Sequence, residues 1–178
     1  MSLTPHQVTD SSLRMKWTGT WGSEMCGIVD ANVAGKVFGD PKNPFETAKK
    51  FRERVEKEKM NLVFGGRIEG EVNKVNKAKR WFQENKRTGI VRQQDPEKVS
   101  AETKRLAESG LCKSDDPHVL ALANVSGARL LYTNDKDLTT DFKNLQIIRP
   151  KGRVYRDPPN GKFSPAYEDL LRESVCNR

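Results

Sequence analysis

The chain has 178 residues, 35% of them apolar and 31% charged, with a formal net charge of +8. That length suits one domain with a buried core, and that apolar share leaves little for a membrane-facing patch. No run approaches the ~18 consecutive apolar residues of a membrane helix, and the opening MSLTPHQVTDSSLRM lacks an apolar signal stretch, so no membrane partner and a cytoplasmic location are expected. Three cysteines, Cys26, Cys112 and Cys176, are an odd count at wide spacing, which predicts reduced thiols rather than a disulfide framework.

Residues 1–24 are rich in Ser, Thr and Gly and show no sustained period, so they read as a loose N-terminal extension, with Trp17 and Trp21 as candidates to pin it. A single core domain is expected over 25–150, and a tail with one short helix over 151–178. MCGIVDANV begins the core as a short buried strand whose last residue, Asp30, emerges at a sheet edge. A helix follows over 42–59. Asn43 would cap it, Pro44 would take its first position, Glu46 its third, and Phe45, Ala48, Phe51 and Val55 mark one face. Its cations are interleaved with Glu46, Glu53, Glu56 and Glu58, the pattern of an ordinary solvated face.

NLVF (61–64), closed by Gly65 and Gly66, reads as a second strand and its turn. The basic helix after it would bury Ile68, Val72, Val75 and Phe82, with Glu71 at the edge of that stripe. DPEK (95–98) starts a further helix through Val99, Thr103 and Leu106, stopped by Gly110. In 114–127, Asp116 and Pro117 occupy the cap and first helical positions and Gly127 follows the end. Strands at Arg129–Tyr132 and Gln146–Ile148 and a helix near 165–174 complete the chain.

Short apolar strands separated by helices imply an α/β fold, a three-layer sandwich around a parallel sheet of about four to five strands, because parallel strands need crossover connections. Ligands in such sheets bind beyond the carboxyl ends of the strands. Asp30 and Asp135 fall on that rim, and Glu71 and Asp116 can join it from helix ends. Two carboxylates about 4 Å apart repel by roughly 4 kcal/mol at an effective dielectric of about 20. A divalent cation would offset such a cluster. The candidate ligands are all oxygens and the two histidines, His6 and His118, are far apart, so Mg²⁺ or Mn²⁺ is favoured over Zn²⁺.

Charge is concentrated beside these acids in the sequence. From Lys74 to Gln94 there are seven cations, Lys74, Lys77, Lys79, Arg80, Lys86, Arg87 and Arg92, against Glu84 alone, and residues 149–162 hold five more against Asp157. Polyphosphate is the partner such stretches suit. Trp81 and Phe82 lie among them, with anchoring to the core as the expected role and base stacking as the alternative. A basic surface beside an acidic pit describes a nuclease.

Four stretches in order carry a family resemblance: IVDANV (28–33), LVFGGRIEGEV (62–72), DPHVLALA (116–123) and GARLLYTNDKDL (127–138). Over about residues 26–150 they resemble the PIN-domain ribonucleases. They are similar to that family's first strand with its aspartate and following asparagine, its second strand and acid-bearing helix, its helix opened by an aspartate, and its closing Thr-x-Asp-x-Asp. The resemblance implies a PIN-like fold and a metal-dependent endoribonuclease acting on single-stranded or structured RNA. Carried over, Asp30, Glu71, Asp116 and Asp135 would be the catalytic metal ligands and Asp137 a further acid of the set, with Asn32 and Thr133 orienting Asp30 through hydrogen bonds. Glu69 and Asp115 are the alternatives to Glu71 and Asp116.

The basic residues do not choose between RNA and DNA, and a second copy or a protein partner is left open. Two other readings compete. One is a nucleic-acid-binding module of the same fold without catalysis, which the basic stretch fits equally well. The other is a metal-dependent phosphatase built on Asp30, disfavoured because Asn32 stands where its second aspartate belongs. A Cys112–His118 nucleophile and base pair lacks any orienting or oxyanion motif.

Overall fold

The apolar bursts become strands because each can be buried on both faces. The computed structural model describes residues 25–39, 45–58, 60–159 and 161–172. Cys26–Val29 forms β1, with all four residues buried. Helix α1 (Ala31–Phe38) follows at once, and α2 (Glu46–Lys57) buries Thr47, Ala48, Phe51 and Val55. Phe45 is not on that buried face: it is exposed at the N-cap position, under the Lys36 ammonium. The expected cap and first residue, Asn43 and Pro44, lie outside the described residues, as do His6, Trp17, Trp21 and Cys176.

Strand β2 (Asn61–Phe64) leads through Gly66, whose φ of 60° suits glycine, into α3 (Arg67–Val72). The single basic helix expected next is broken. Lys74 and Val75 close a tight turn onto Glu71 and Val72, Val75 is extended, and α4 (Asn76–Arg87) starts after it as a separate helix. The break lets two consecutive aromatics reach the core: Phe38 stacks on Trp81 at 3.9 Å and Phe64 on Phe82 at 4.6 Å, and the Trp81 indole N–H donates to Glu56. Both rings are buried, which makes them anchors of α4 rather than free stacking platforms.

Strand β3 (Val91–Gln93), which the sequence did not signal, precedes α5 (Pro96–Glu108), capped by Asp95 through the amides of Glu97 and Lys98. Helix α6 (Pro117–Ser126) ends at Gly127 in the left-handed conformation (φ 76°). Strand β4 (Leu130–Tyr132) and α7 (Lys136–Phe142) follow. Residues 146–148 are not a strand. They are turn residues whose Ile147 and Ile148 plug the core, and the fifth strand, β5, is Arg153–Tyr155. Gly152 admits β5 to this place: a Cβ there would collide with the Phe142 ring and carbonyl. Helix α8 covers Pro165–Arg172, short of the expected 174, whose last residues lie outside the description.

The five strands form one parallel sheet in the order β3-β2-β1-β4-β5. The expected α/β architecture with a central parallel sheet is therefore present. The chain winds outward from β1 to β3, then returns across β1 to β4 and β5. Connections running in opposite directions place α1–α4 and α5–α7 on opposite faces, the three-layer arrangement. The boundary expected at residue 150 does not divide the molecule, since β5 belongs to the sheet and α8 packs on β5 and α2. No described helix is long and apolar enough to cross a membrane. The expectation of three reduced thiols is also corrected: Cys26 is disulfide-bonded, whereas Cys112 is free.

Candidate active site

Reversal of the winding direction leaves a crevice at the carboxyl ends of β1 and β4. Val29 pairs with Tyr132, so the next residues on each strand, Asp30 and Thr133, stand side by side. The Asp30 amide continues the ladder to the Tyr132 carbonyl at 3.0 Å. Its carboxylate turns to the N-terminus of α1, where Oδ1 accepts from the Asn32 amide at a long 3.5 Å and Oδ2 accepts from the Thr133 hydroxyl at 2.6 Å. Asn32 thus reaches Asp30 with its backbone, and its own side chain is exposed. Thr133 is fully buried, and its oxygen also accepts from the Asp135 amide at 3.0 Å. One hydroxyl ties the two rim aspartates together.

Asp30 is only 6% exposed, and burial pushes its carboxyl above the usual value. Thr133 and the Asn32 amide oppose that push, while Asp116 and Glu71 reinforce it through like charge. Those last two effects locate the cluster. Glu71 on α3 and Asp116 before α6 lie close enough for Asp30 to feel them.

Each has distinct partners. Glu71 accepts from Arg67 Nε at 2.9 Å and approaches His118 Nε2 at 3.4 Å. Asp116 occupies the N-cap position of α6 but makes no capping hydrogen bond, which leaves its carboxylate uncommitted to the helix; Oδ1 lies 3.8 Å from His118 Nδ1. Glu69 points elsewhere, to Lys86 at 2.5 Å and Gln93 at 3.0 Å, and Asp115 is exposed.

Asp135 and Asp137 stand differently. Asp135 caps α7, its Oδ1 accepting from the Leu138 amide at 2.6 Å, and Asp137 is exposed in the first turn of the same helix. The two short helices that Asp30 and Asp135 cap were not legible in the sequence. ANVAGKVF contains Gly and three β-branched or bulky apolar residues with weak intrinsic helix preference, so α1 forms because it buries Val33, Ala34, Val37 and Phe38.

The oxygen-rich donor set suits a hard divalent cation. Its placement is not that of a preformed cage: among the described residues no three carboxylate, imidazole or thiolate groups converge as a metal-ligand set. The hydrogen bonds explain why, since Glu71 is drawn toward Arg67 and Asp135 toward the α7 backbone.

Two residues of the site were missed. His118 is 4% exposed, and both ring nitrogens lack a hydrogen-bond partner although they lie between Glu71 and Asp116. Its spacing two residues after Asp116 was the only signal available. Asp141 on α7 is buried and accepts from the amides of Lys113 and Ser114, both at 2.8 Å, which clamps the loop that carries Asp115 and Asp116. Cys112 donates to the Leu106 carbonyl at 3.8 Å, and burial, then Asp141, push its thiol up, so it is poorly suited to act as a nucleophile.

The basic stretch is largely on the surface. Lys74, Lys77, Lys79, Arg80 and Arg87 are exposed; Arg80 pairs with Glu84, and Lys86 with Glu69 beside the Phe64 ring. Compared with protein-family models, with curated proteins and with solved structures, the chain finds no match.

Proposed function

We propose that the protein is a divalent-cation-dependent nuclease acting on RNA, as the PIN-like motifs imply. The observation that carries this reading is Asp30. It is a nearly buried carboxylate at the crevice where the sheet changes winding direction, and two further carboxylates raise its proton affinity instead of neutralising it. A structural role gives no reason to collect like charges there, and a bound cation does. Asp30, Glu71 and Asp116 would hold Mg²⁺ or Mn²⁺, and Asp135 and Asp137 would stand at the α7 edge of the same rim. When bound, such an ion supplies a Lewis acid for a phosphodiester oxygen and an activated water.

The chain's own residues do the rest. Thr133 keeps Asp30 turned into the crevice through its 2.6 Å hydrogen bond, and Asp141 holds the loop that presents Asp116. Arg67, mostly exposed and paired with Glu71, adds a cation at the rim where a phosphate would arrive. The exposed cations of α4 supply sequence-independent attraction to a polyanion.

The second reading, a nucleic-acid-binding module without catalysis, draws on the lack of a converged ligand set among the described residues. Purified protein incubated with a mixed RNA pool and with single-stranded DNA, in Mn²⁺ or in EDTA, separates the two. The nuclease reading expects cleavage of RNA in Mn²⁺ only, abolished in Asp30→Asn. Cleavage that survives chelation would sink the cation mechanism, and metal-independent binding without cleavage would establish the module.

A further inference from the structure

We propose that His118 is a positioning residue of the acidic rim: its imidazole sets where the carboxylates of Glu71 and Asp116 face, and so how tightly the acids around Asp30 hold a divalent cation. The inference deepens the nuclease reading and rests on it for the cation. His118 is the second residue of α6, two after Asp116, whereas Glu71 belongs to α3. Acids on separate helices have no fixed distance of their own. The buried ring supplies one, because it lies between them, with Nε2 3.4 Å from Glu71 Oε2 and Nδ1 3.8 Å from Asp116 Oδ1.

Buried polar side chains are almost always hydrogen-bonded, yet both His118 nitrogens lack a hydrogen-bond partner. An apolar residue of similar size would fill the place without that cost. The groups that the nitrogens face supply the reason for an imidazole. Ionised carboxylates only accept, and a neutral imidazole has one N–H and one lone pair. It can donate to one acid only. Glu71 is the nearer, so Nε2 carries the proton toward Glu71 and the Nδ1 lone pair faces Asp116. One edge of the ring attracts a carboxylate and the other repels one. The 3.4 Å separation is slightly longer than a formed N–H···O bond, and contacts of this kind tighten in the loaded state of a site.

The other ties of the two acids show what the ring adds. Glu71 Oε1 accepts from Arg67 Nε at 2.9 Å, while Oε2 faces His118. The Arg67 side chain is 69% exposed, so solvent screens that pair and it orients Glu71 weakly. The imidazole is the fixed partner. Asp116 makes no capping bond to α6, so the helix backbone does not orient it. Repulsion from Nδ1 turns its carboxylate away from the ring and toward the rim, where its like-charge effect on Asp30 exceeds that of Glu71.

The test measures the Mn²⁺ affinity of the full-length protein by titration calorimetry, beside thermal melts in EDTA. Removing a group that orients a metal ligand typically weakens metal binding by about 10- to 100-fold, and that loss is expected for His118→Leu, which fills the space without a donor. His118→Gln, whose amide N–H can reach Glu71, is expected to recover most of the loss. His118→Asn, shorter and with its amide toward Asp116, is not. Should His118→Leu fail to fold, the Gln and Asn variants compared with the wild type carry the same test. In a Glu71→Ala background the ring has no acid to hold on that side, and His118→Leu is expected to change the affinity far less.

Unchanged affinity in folded His118→Leu, equal losses in the Gln and Asn variants, or an undiminished effect in the Glu71→Ala background overturns the positioning role. A wild-type protein that takes up no Mn²⁺ overturns it together with the cation mechanism. RNA cleavage by the same preparations keeps the two readings apart. Cleavage in Mn²⁺ with an affinity that His118→Leu leaves untouched removes the role of His118 and leaves the nuclease. The expected order of affinities without any cleavage removes the nuclease and leaves a positioned cation site.

Discussion

Two aspartates hold their protons in opposite ways, and each predicts a different pH response. Burial, then Asp116 and Glu71, raise the Asp30 carboxyl above its usual 3.8. Its unfolded form ionises first as pH rises, so the folded state loses stability from 3.8 up through the folded value and carries a constant penalty above it. Asp30→Asn removes that penalty. In EDTA at pH 7 the variant is expected to be more stable by about 1 kcal/mol after screening, with the gap vanishing below 3.8, while cleavage in Mn²⁺ is lost. Melts from pH 3 to 8 check it; a variant that melts lower and still cuts RNA at the wild-type rate would refute the role of Asp30.

Asp157 behaves the other way. Burial opposes its charge, but Thr47 and Tyr132 at 2.6 Å, Asn134 at 2.7 Å and Lys36 at 3.3 Å donate to it and hold its carboxyl below the usual value. Its stabilisation is present above 3.8 and is lost as pH falls through the folded value. Asp157→Ala is expected to cost about 2 kcal/mol at neutral pH, with a smaller cost in acid, measured by urea unfolding at pH 7 and pH 3.

At the scale of elements, the loop before α6 and the surface of α4 carry separate burdens. Asp141 satisfies the amides of Lys113 and Ser114, which have no helix or strand to bond. Asp141→Ala leaves both donors without that acceptor and is expected to destabilise by about 2 to 3 kcal/mol. Hydrogen exchange should accelerate first at those two amides, ahead of global unfolding, and cleavage should fall because Asp116 is no longer positioned. If exchange there is unchanged, the clamp does not hold the loop.

Helix α4 instead buries Ala78, Trp81 and Phe82 and turns Lys77, Lys79 and Arg87 to solvent. Replacing these three cations with glutamine should leave the melt within about 0.5 kcal/mol. It should also flatten the logarithmic salt dependence of single-stranded RNA binding by up to about 2. An unchanged slope would show that this face does not touch nucleic acid.

At the scale of the whole molecule, the chain beyond residue 150 completes the sheet. Tyr155 is fully buried against Phe51 and Tyr132, and its hydroxyl donates to the Thr47 carbonyl at 3.0 Å. Asp157 then binds α1, α2 and the end of β4 through four side chains. A chain truncated after Pro150 loses β5, this network and α8 together. It is expected to lose its cooperative thermal transition, whereas one ending after Arg172 keeps every described element. A sharp melt in the shorter chain would mean that residues 25–150 are the folding unit after all.

Local chemistry alone determined a good part of this protein. NLVF and LLY are strands because short apolar runs bounded by turn residues can only be buried, and Asp95-Pro96 and Asp116-Pro117 start helices because an N-cap acid followed by proline suits the first turn. Such signals lie within a few residues of one another and need no partner. The parallel sheet was legible for the same reason, from the spacing of its strands.

Tertiary structure decided the rest. Arg153–Tyr155 is a strand and Gln146–Ile148 is not, although the latter is the more apolar, because β4 offers its edge to the former once Gly152 clears Phe142. The break between α3 and α4 follows from aromatic packing on Phe38 and Phe64, far away in sequence. At the rim, the sequence identified which acids could meet. Only the fold determined that Asp30, Glu71 and Asp116 interact, that Asp135 is held by a helix cap, and that His118 lies between two of the acids without a hydrogen bond. Side-chain meetings of this kind depend on distances between elements, and no local pattern encodes them.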